Sequence, residues 1–327
     1  MKKKLLAMLL VVVMALVMVT GCGGGASSED TVSIGVIQQM QHASLDEAYD
    51  GFVDGLAEAG YVEGENLTLD FQNASGEVSN CQSICEVFKS NGNDMVLAIA
   101  TNAAQSAVNT FDGTETPVLF TAVTDPVDAG LVDSIEAPGK NVTGTSDLPV
   151  IADQIAVIKD IQPDCKKIAI LYTSSEANSK VQADQATAAA KELGIEVVVQ
   201  TSSTSNDIPQ VISSVAGQVD AIYLPADNAF ASAMATVNSK AVEYQIPVYA
   251  GVDAMVKEGA IATPCIDYYE LGKQTAAQAV RILNGEAASD IAVEYQKEFA
   301  LVVNKTFAES VGVTVPQEIL DGASVVY

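Results

Sequence analysis

The sequence is poor in basic residues, and this excludes several classes of partner. It has 16 Lys and Arg against 42 Asp and Glu, which gives a formal net charge of −26, and it contains no tryptophan and one histidine, His42. Nucleic acid is bound through a basic face that meets its phosphates, so we expect no nucleic-acid partner. Anionic lipid would repel so acidic a chain, so the protein does not adsorb to membranes by charge.

Signatures of enzymes and metal sites are also missing. No GxGxxG follows the first predicted strand, and there is no P-loop, GxSxG elbow, HExxH or CxxC. Cys81, Cys85, Cys165 and Cys265 lack the neighbours of a zinc site, and we interpret them as small buried hydrophobic residues. We therefore expect no catalytic residue, no metal and no cofactor.

Long apolar runs are absent except at the N-terminus. Three lysines precede Leu5–Val19, a run shorter than the roughly 20 apolar residues of a membrane-spanning helix and typical of a secretion signal. It ends in VTGC, which resembles the lipobox of bacterial lipoproteins. The resemblance implies a signal peptide over residues 1–22 that includes a lipidated Cys22, followed by a flexible Gly/Ser tether over residues 23–30. The alternative is an ordinary cleaved signal with a chance cysteine.

The rest of the chain alternates short β-rich runs with helical stretches. This alternation predicts an α/β fold with parallel sheets covered by helices on both faces. The predicted strands are 31–37, 67–72, 95–99, 118–121, 167–172, 195–200, 221–224, 247–250 and 299–303. The predicted helices are 45–59, 78–89, a helix from about 103, 177–193, 230–245, 269–284 and a short helix after 304.

The two halves of the chain repeat the same order and share similar segments. TPVLF at 116–120 matches IPVYA at 246–250, and AIATNA at 98–103 corresponds to YLPADNA at 223–229. We therefore predict two similar doubly wound parallel-sheet lobes joined by a hinge, which is the minimum for a clamp around a ligand.

A two-lobed clamp requires the chain to cross between its lobes. We place the crossings near Thr145, Ile266 and Asp290. The predicted N-terminal lobe is then 31–144 with 267–289, and the predicted C-terminal lobe is 145–266 with 290–327.

Polar clusters follow the predicted strands in both halves, where open parallel sheets bind ligands. Helix capping is the alternative role for each cluster, because Ser, Thr, Asp and Asn are the usual caps. The candidate ligand-binding residues are Gln38, Thr101, Asn102, Thr121, Thr124, Asp125, Ser174, Ser175, Asn178, Asp227, Asn228 and Asp253.

The chemistry of these clusters favours a zwitterionic ligand. They contain hydroxyls, amides and carboxylates but almost no Lys or Arg, which a phosphate or dicarboxylate would recruit. An ammonium group could pair with Asp125, Asp227 or Asp253. We favour Asp227, which follows a buried strand and precedes an apolar helix. Five tyrosines near strand ends could stack on an aromatic ligand or pack in the core: Tyr172, Tyr223, Tyr249, Tyr268 and Tyr269.

Six segments together resemble a known family. They are GFVDGLAEAGYVEG (51–64), AIATNAAQ (98–105), FTAVTDPV (120–127), EANS (176–179), DAIYLPADN (220–228) and DYYELG (267–272). They are similar to the ABC transporter substrate-binding proteins associated with tryptophan and tyrosine uptake, which have the type I periplasmic-binding-protein fold. The resemblance implies a binding protein that captures an amino acid, aromatic in at least some members, and works with ABC permease subunits.

The predicted secretion signal, the predicted two-lobed fold and the family resemblance together predict a protein that is not an enzyme. We expect a monomeric substrate-binding lipoprotein, anchored by lipid on the extracytoplasmic face of the bacterial cell membrane. A nucleoside or sugar as the ligand, a sensory module without an importer, and an enzyme on a two-lobed fold remain open as alternatives.

Overall fold

The computed structural model describes residues 31–327, so the predicted signal peptide, Cys22 and the tether lie outside the described residues. The strands are β1 Val32–Gln38, β2 Leu67–Asn73, β3 Met95–Ile99, β4 Val118–Val123, β5 Val142–Ser146, β6 Lys167–Thr173, β7 Glu196–Ser202, β8 Ala221–Leu224, β9 Val248–Ala250, β10 Ala262–Cys265, β11 Glu294–Tyr295, β12 Ala300–Val303 and β13 Val325–Val326.

Helices alternate with these strands along most of the chain. They are α1 Ala43–Glu58, α2 Val78–Asn91, α3 Thr101–Phe111, α4 Ile151–Ile161, α5 Ala177–Glu192, α6 Ile208–Val215, α7 Asn228–Ser232, α8 Met234–Tyr244, α9 Asp253–Gly259, α10 Tyr268–Leu283, α11 Lys305–Ser310 and α12 Gln317–Gly322. Within residues 31–327, none of these helices combines the length and apolar character needed to cross a membrane.

Two parallel sheets form the cores of the two lobes. The first has the order β11-β5-β4-β3-β1-β2 and the second the order β7-β6-β8-β9. The second sheet therefore repeats the order of β2-β1-β3-β4, and the predicted duplication of an α/β lobe is confirmed. A small third sheet, β10-β12-β13, lies at the C-terminal end of the chain.

The inner strands are buried along their whole length because helices cover both faces of each sheet. Every residue of β3, β4 and β8 is buried, which explains their nearly continuous apolar sequences. The four cysteines among the described residues are buried and unpaired, as expected for small hydrophobic side chains.

The chain passes between the lobes three times. It leaves the first sheet after β5, leaves β10 for α10, and passes from β11 to β12. Glu294 and Tyr295 pair with Thr145 and Ser146, so the first sheet extends beyond Asp290, where we had placed the last crossing. The predicted helix 230–245 is divided at Ala233. Several elements were not predicted: helices α4, α6, α9 and α12 and strands β5, β10, β11 and β13.

Helix α10 returns from the second lobe and packs along α1 of the first. Two glycines allow this close approach: a Cβ at Gly272 would overlap the carbonyl oxygen of Ala48, and a Cβ at Gly51 would overlap that of Tyr269. Tyr269 also donates a hydrogen bond to Asp54 at 2.8 Å. The α1–α10 contact thus holds the part of the chain between the second and third crossings against the N-terminal lobe.

We expect Gly272→Ala to lower the free energy of unfolding by about 1–3 kcal/mol, because the added methyl forces the two helix backbones apart. Urea denaturation measures this. Gly322→Ala is the control: Gly322 also lies in a helix, and open space surrounds its Cβ position. Equal stability of the two variants would contradict the close packing of α1 on α10.

Candidate ligand-binding site

A small cavity lies between the lobes at the carboxyl ends of their strands. Both lobes contribute to its wall, and the wall contains no Lys or Arg. The lining residues are His42, Ser44, Leu45, Ala122, Thr124, Asp147, Asn178, Ala226, Asp227, Asn228, Ala231, Val252 and Tyr268.

Four of the twelve candidate residues line this cavity. Thr124 follows β4 of the first lobe. Asn178 lies in the first turn of α5, and Asp227 and Asn228 begin α7, all in the second lobe. These positions are the sheet ends at which the polar clusters were expected.

The structure places the other eight candidates outside the cavity wall. Gln38 donates to Asp46 at 2.7 Å, Thr121 accepts from Thr145 at 3.0 Å, and Thr101 is buried at the start of α3. The amide of Asn102 donates to the carbonyl oxygen of Ser175 across the lobes at 3.4 Å.

The remaining candidates form turns or helix starts. Asp125 accepts from the backbone N–H groups of Val127 and Asp128, and Ser174 and Ser175 are exposed. Asp253 accepts from the backbone N–H of Ala254 at 2.7 Å. The contacts of Asp125 are those of a side chain that caps a turn, the alternative named for each cluster, whereas no side chain caps α9.

Asp227 makes its hydrogen bonds within the second lobe. Its Oδ1 accepts from the Thr173 hydroxyl at 2.8 Å and from the Phe230 N–H at 2.9 Å, and its Oδ2 accepts from the Thr173 N–H at 2.6 Å. The carboxylate therefore caps α7 and ties it to the end of β6. Burial raises its pKa, and these hydrogen bonds act in the opposite direction.

Glu176 is a second buried carboxyl group beside Asp227. Its oxygens accept from the backbone N–H groups of Asn228 and Ala229, both at 3.0 Å, and from the Asn228 side chain at 2.6 Å. Burial and the charge of Asp227 raise the pKa of Glu176 to about 8. The α7 terminus is thus already occupied by two acids from its own lobe.

Asp147 differs from these acids because half of its carboxyl group is free. It follows β5 and is 8 % exposed. Its Oδ2 accepts from the Tyr268 hydroxyl at 2.7 Å, whereas its Oδ1 is buried and has no hydrogen-bond partner among the described residues. Burial raises the pKa of Asp147. The sequence analysis missed this residue because it did not detect β5.

Three further buried atoms of the cavity wall lack a partner within residues 31–327. They are His42 Nδ1, Ser44 Oγ and Asn178 Oδ1. Buried polar atoms are normally hydrogen-bonded, so their convergence with Asp147 Oδ1 on one cavity indicates where a ligand binds. His42 ends the run of polar residues 38–42 that follows the first strand. Ser44 directly precedes the predicted helix 45–59, and nothing in the sequence pattern distinguished it.

The start of α1 supplies hydrogen-bond donors to the same cavity. Its first intrahelical bond runs from the Asp46 N–H to the His42 carbonyl, and no side chain caps the helix. The N–H groups of Ser44 and Leu45 therefore have no protein partner in the described chain. Together with the Ser44 hydroxyl they form a site suited to a carboxylate, because a helix N-terminus attracts negative charge.

Backbone geometry positions the first lobe's contribution. Ala122 has φ +55°, and the β4–β5 register shifts between Phe120 and Val123. Such a bulge redirects the strand end, and the left-handed conformation costs an alanine about 1–2 kcal/mol. The bulge places Thr124 and Ala122 on the cavity wall.

Hydrogen bonds join the lobes around the cavity. His42 Nε2 lies 3.0 Å from Asn228 Oδ1, and the Gln182 amide donates to the Thr124 hydroxyl at 3.1 Å. With the Asn102–Ser175 contact, these bonds connect the first lobe to α5 and α7 of the second. The lobes are thus in contact around the cavity.

A separate cluster of acidic residues lies where α1 meets α9 and α10. Glu47 is half-buried, and burial together with Asp253 and Asp267 raises its pKa to about 7, opposed by Lys257. Asp253, a candidate from the sequence, therefore faces like charges rather than the cavity.

Comparison with known proteins gives a consistent picture. The family described as ABC transporter substrate binding protein matches residues 33–327. A tyrosine-binding protein of Clostridioides difficile is 40 % identical, covering 93 % of this chain and 90 % of the relative.

Two solved structures of relatives are also similar. The ABC domain from Streptococcus pneumonia in complex with L-Trp has a TM-score of 0.87 at 37 % identity, covering 91 % of this chain and 100 % of that chain. The ligand-free, open structure of a substrate-binding protein with adhesive properties from Clostridium difficile has a TM-score of 0.68 at 40 % identity, covering 90 % and 99 %. The complex with L-Trp is thus the better structural match of the two, despite its lower identity.

The raised pKa values of Glu176 and Glu47 predict a pH dependence of stability. Both groups hold protons in the folded protein that the unfolded chain releases above its usual pKa of about 4.5. The free energy of unfolding should therefore fall as the pH rises from about 5 to 8.

Urea denaturation at several pH values measures this dependence. We expect Glu47→Gln to flatten the decline, whereas Glu65→Gln, which removes an exposed carboxylate, should follow the wild-type slope. Identical slopes for all three proteins would show that Glu47 does not contribute.

Proposed function

This chain belongs to the family of ABC transporter substrate-binding proteins, and we propose that it captures an aromatic amino acid outside the cell membrane and delivers it to the permease subunits of an importer. It binds its ligand without converting it. The observation that carries the proposal is the set of four unpartnered polar atoms around a cavity whose lining residues include no Lys or Arg.

The polar atoms of the cavity match a zwitterion. Asp147 Oδ1 is an acceptor for the ammonium group, and Asn178 Oδ1 is a second acceptor on the opposite lobe. The Ser44 hydroxyl and the free N–H groups at the start of α1 are donors for the carboxylate. We therefore assign the ammonium partner to Asp147 rather than to Asp227, whose oxygens accept from Thr173 and Phe230.

The rest of the wall suits an apolar side chain. Leu45, Ala122, Ala226, Ala231 and Val252 line it. Tyr268 supplies an aromatic surface beside Asp147. The tyrosine and tryptophan in the names of similar proteins fit this wall.

Titration calorimetry with L-tyrosine, L-tryptophan, uridine and myo-inositol tests the ligand class. We expect at least one aromatic amino acid to bind and the nucleoside and the polyol not to bind. Binding of only uridine or myo-inositol would overturn the proposal, because neither carries an ammonium group for Asp147.

We expect Asp147→Asn to weaken amino-acid binding roughly a hundredfold to several thousandfold, because an ammonium buried without its counter-charge costs about 3–5 kcal/mol. Calorimetry with the amino acid that binds the wild type measures this. Asp125→Asn is the matched control: the same change is made outside the cavity, where Asn serves as well as Asp in a turn. Similar affinities for both variants would remove Asp147 from the ammonium site.

The N-terminal pattern supports a lipid anchor at Cys22. We expect Cys22→Ser to release the protein from membranes, because an acyl chain on this residue is the proposed attachment. Fractionation of cells that express the full chain measures the release. A Cys22→Ser protein that is processed and still sediments with membranes would contradict the anchor.

A further inference from the structure

Gln182 connects the second lobe to the cavity wall of the first. It lies in α5 and is completely buried, with 0 % of its surface exposed. Its Oε1 accepts from the backbone N–H of Ala226 at 2.9 Å, and its Nε2 donates to the Thr124 hydroxyl at 3.1 Å. Because a backbone N–H only donates, it fixes the orientation of the amide. The Gln182 side chain therefore presents its donor end to the first lobe.

Thr124 lies beside Asp147, the proposed partner of the ammonium group. Val123 and Ser146 are paired in the β4–β5 register, and Thr124 and Asp147 are the residues that follow them. The Asp147 N–H donates to the Val123 carbonyl at 3.3 Å, and the Ser146 hydroxyl donates to the Thr124 carbonyl at 3.0 Å. The bond from Gln182 thus reaches the part of the first lobe that would hold the ammonium group.

Burial distinguishes this bond from another bond between the lobes. Thr124 is 4 % exposed, whereas Ser175, which accepts from Asn102, is exposed, so water can replace the Asn102–Ser175 bond. A buried donor without a partner is costly. Loss of the Thr124 hydroxyl would leave Gln182 Nε2 unpaired while the lobes are in contact, but not after they separate, because water then reaches the amide.

We propose that Gln182 is a positioning residue that holds the lobes together around the bound ligand, because its bond to Thr124 exists only while the lobes are in contact and so slows the release of the ligand. The inference rests on the proposed function and adds a determinant of the lifetime of the complex. Gln182 does not belong to the cavity wall, and it acts through Thr124.

A pair of substitutions tests this coupling. Thr124→Val removes the hydroxyl and keeps the shape of the side chain. In the otherwise wild-type protein it should weaken the binding of L-tyrosine or L-tryptophan roughly 5- to 150-fold, because it leaves the buried Gln182 amide unpaired. In the Gln182→Met background, where no donor remains, the same substitution should change the affinity by at most about twofold. Titration calorimetry on the four proteins measures both effects.

The two rate constants separate this role from a general loss of structure. Because the bond forms when the lobes meet, Gln182→Met should raise the dissociation rate and leave the association rate close to that of the wild type. Gln105→Met is the matched control: Gln105 donates to the Ala129 carbonyl within the first lobe at 3.0 Å, and its substitution should change neither rate. Stopped-flow fluorescence measures both rates.

The outcomes distinguish this inference from the proposed function. Equal losses for Thr124→Val in both backgrounds would show that Thr124 acts on the ligand without Gln182, and the inference would be wrong while amino-acid capture stands. An unchanged dissociation rate in Gln182→Met would also overturn it. If neither amino acid binds the wild type, the proposed function fails and the role of Gln182 fails with it.

Discussion

Closure of two lobes over a polar cavity removes side chains from water, and each buried polar atom must then find a partner. An unsatisfied atom costs about 1–3 kcal/mol, whereas a typical hydrogen bond contributes about 0.5–1.5 kcal/mol. Bonds between the lobes, such as Gln182 to Thr124, leave four atoms of the cavity wall unpartnered. Under the proposed function, a ligand that satisfies those atoms would stabilise the arrangement in which the lobes are in contact.

The two lobes meet this constraint in different ways. In the second lobe the buried acids Asp227 and Glu176 accept hydrogen bonds from their own lobe, so they form a rigid, satisfied network. In the first lobe His42, Ser44 and Asp147 keep atoms free for the cavity, and in the second lobe Asn178 does. Under the proposed function, the first lobe would supply the negative charge for the ligand's ammonium group, and the second lobe would add an uncharged acceptor.

The sequence alone predicted the α/β fold, the duplication and the edge of the sheets where the cavity lies, because these follow from periodicity and from strand order. It did not distinguish capping from ligand binding. Asp227 and Asp147 both follow strands, and only the positions of partners far away in the chain, Thr173 for one and Tyr268 for the other, separate their roles. Asp147 was also hidden because β5 reads VTGTS, whose glycine and small polar residues give a weak strand signal.

The duplication explains why corresponding strand ends of both lobes line the cavity, but it does not explain the acidic residue Asp147. Ala122 at the end of β4 corresponds to Val252 after β9, and both line the cavity. Strand β5 and helix α10 have no counterpart in the second sheet, and they contribute Asp147 and Tyr268. Both residues lie where the chain crosses between the lobes. Under the proposed function, an ammonium group bound to Asp147 would therefore contact the segments that connect the two lobes.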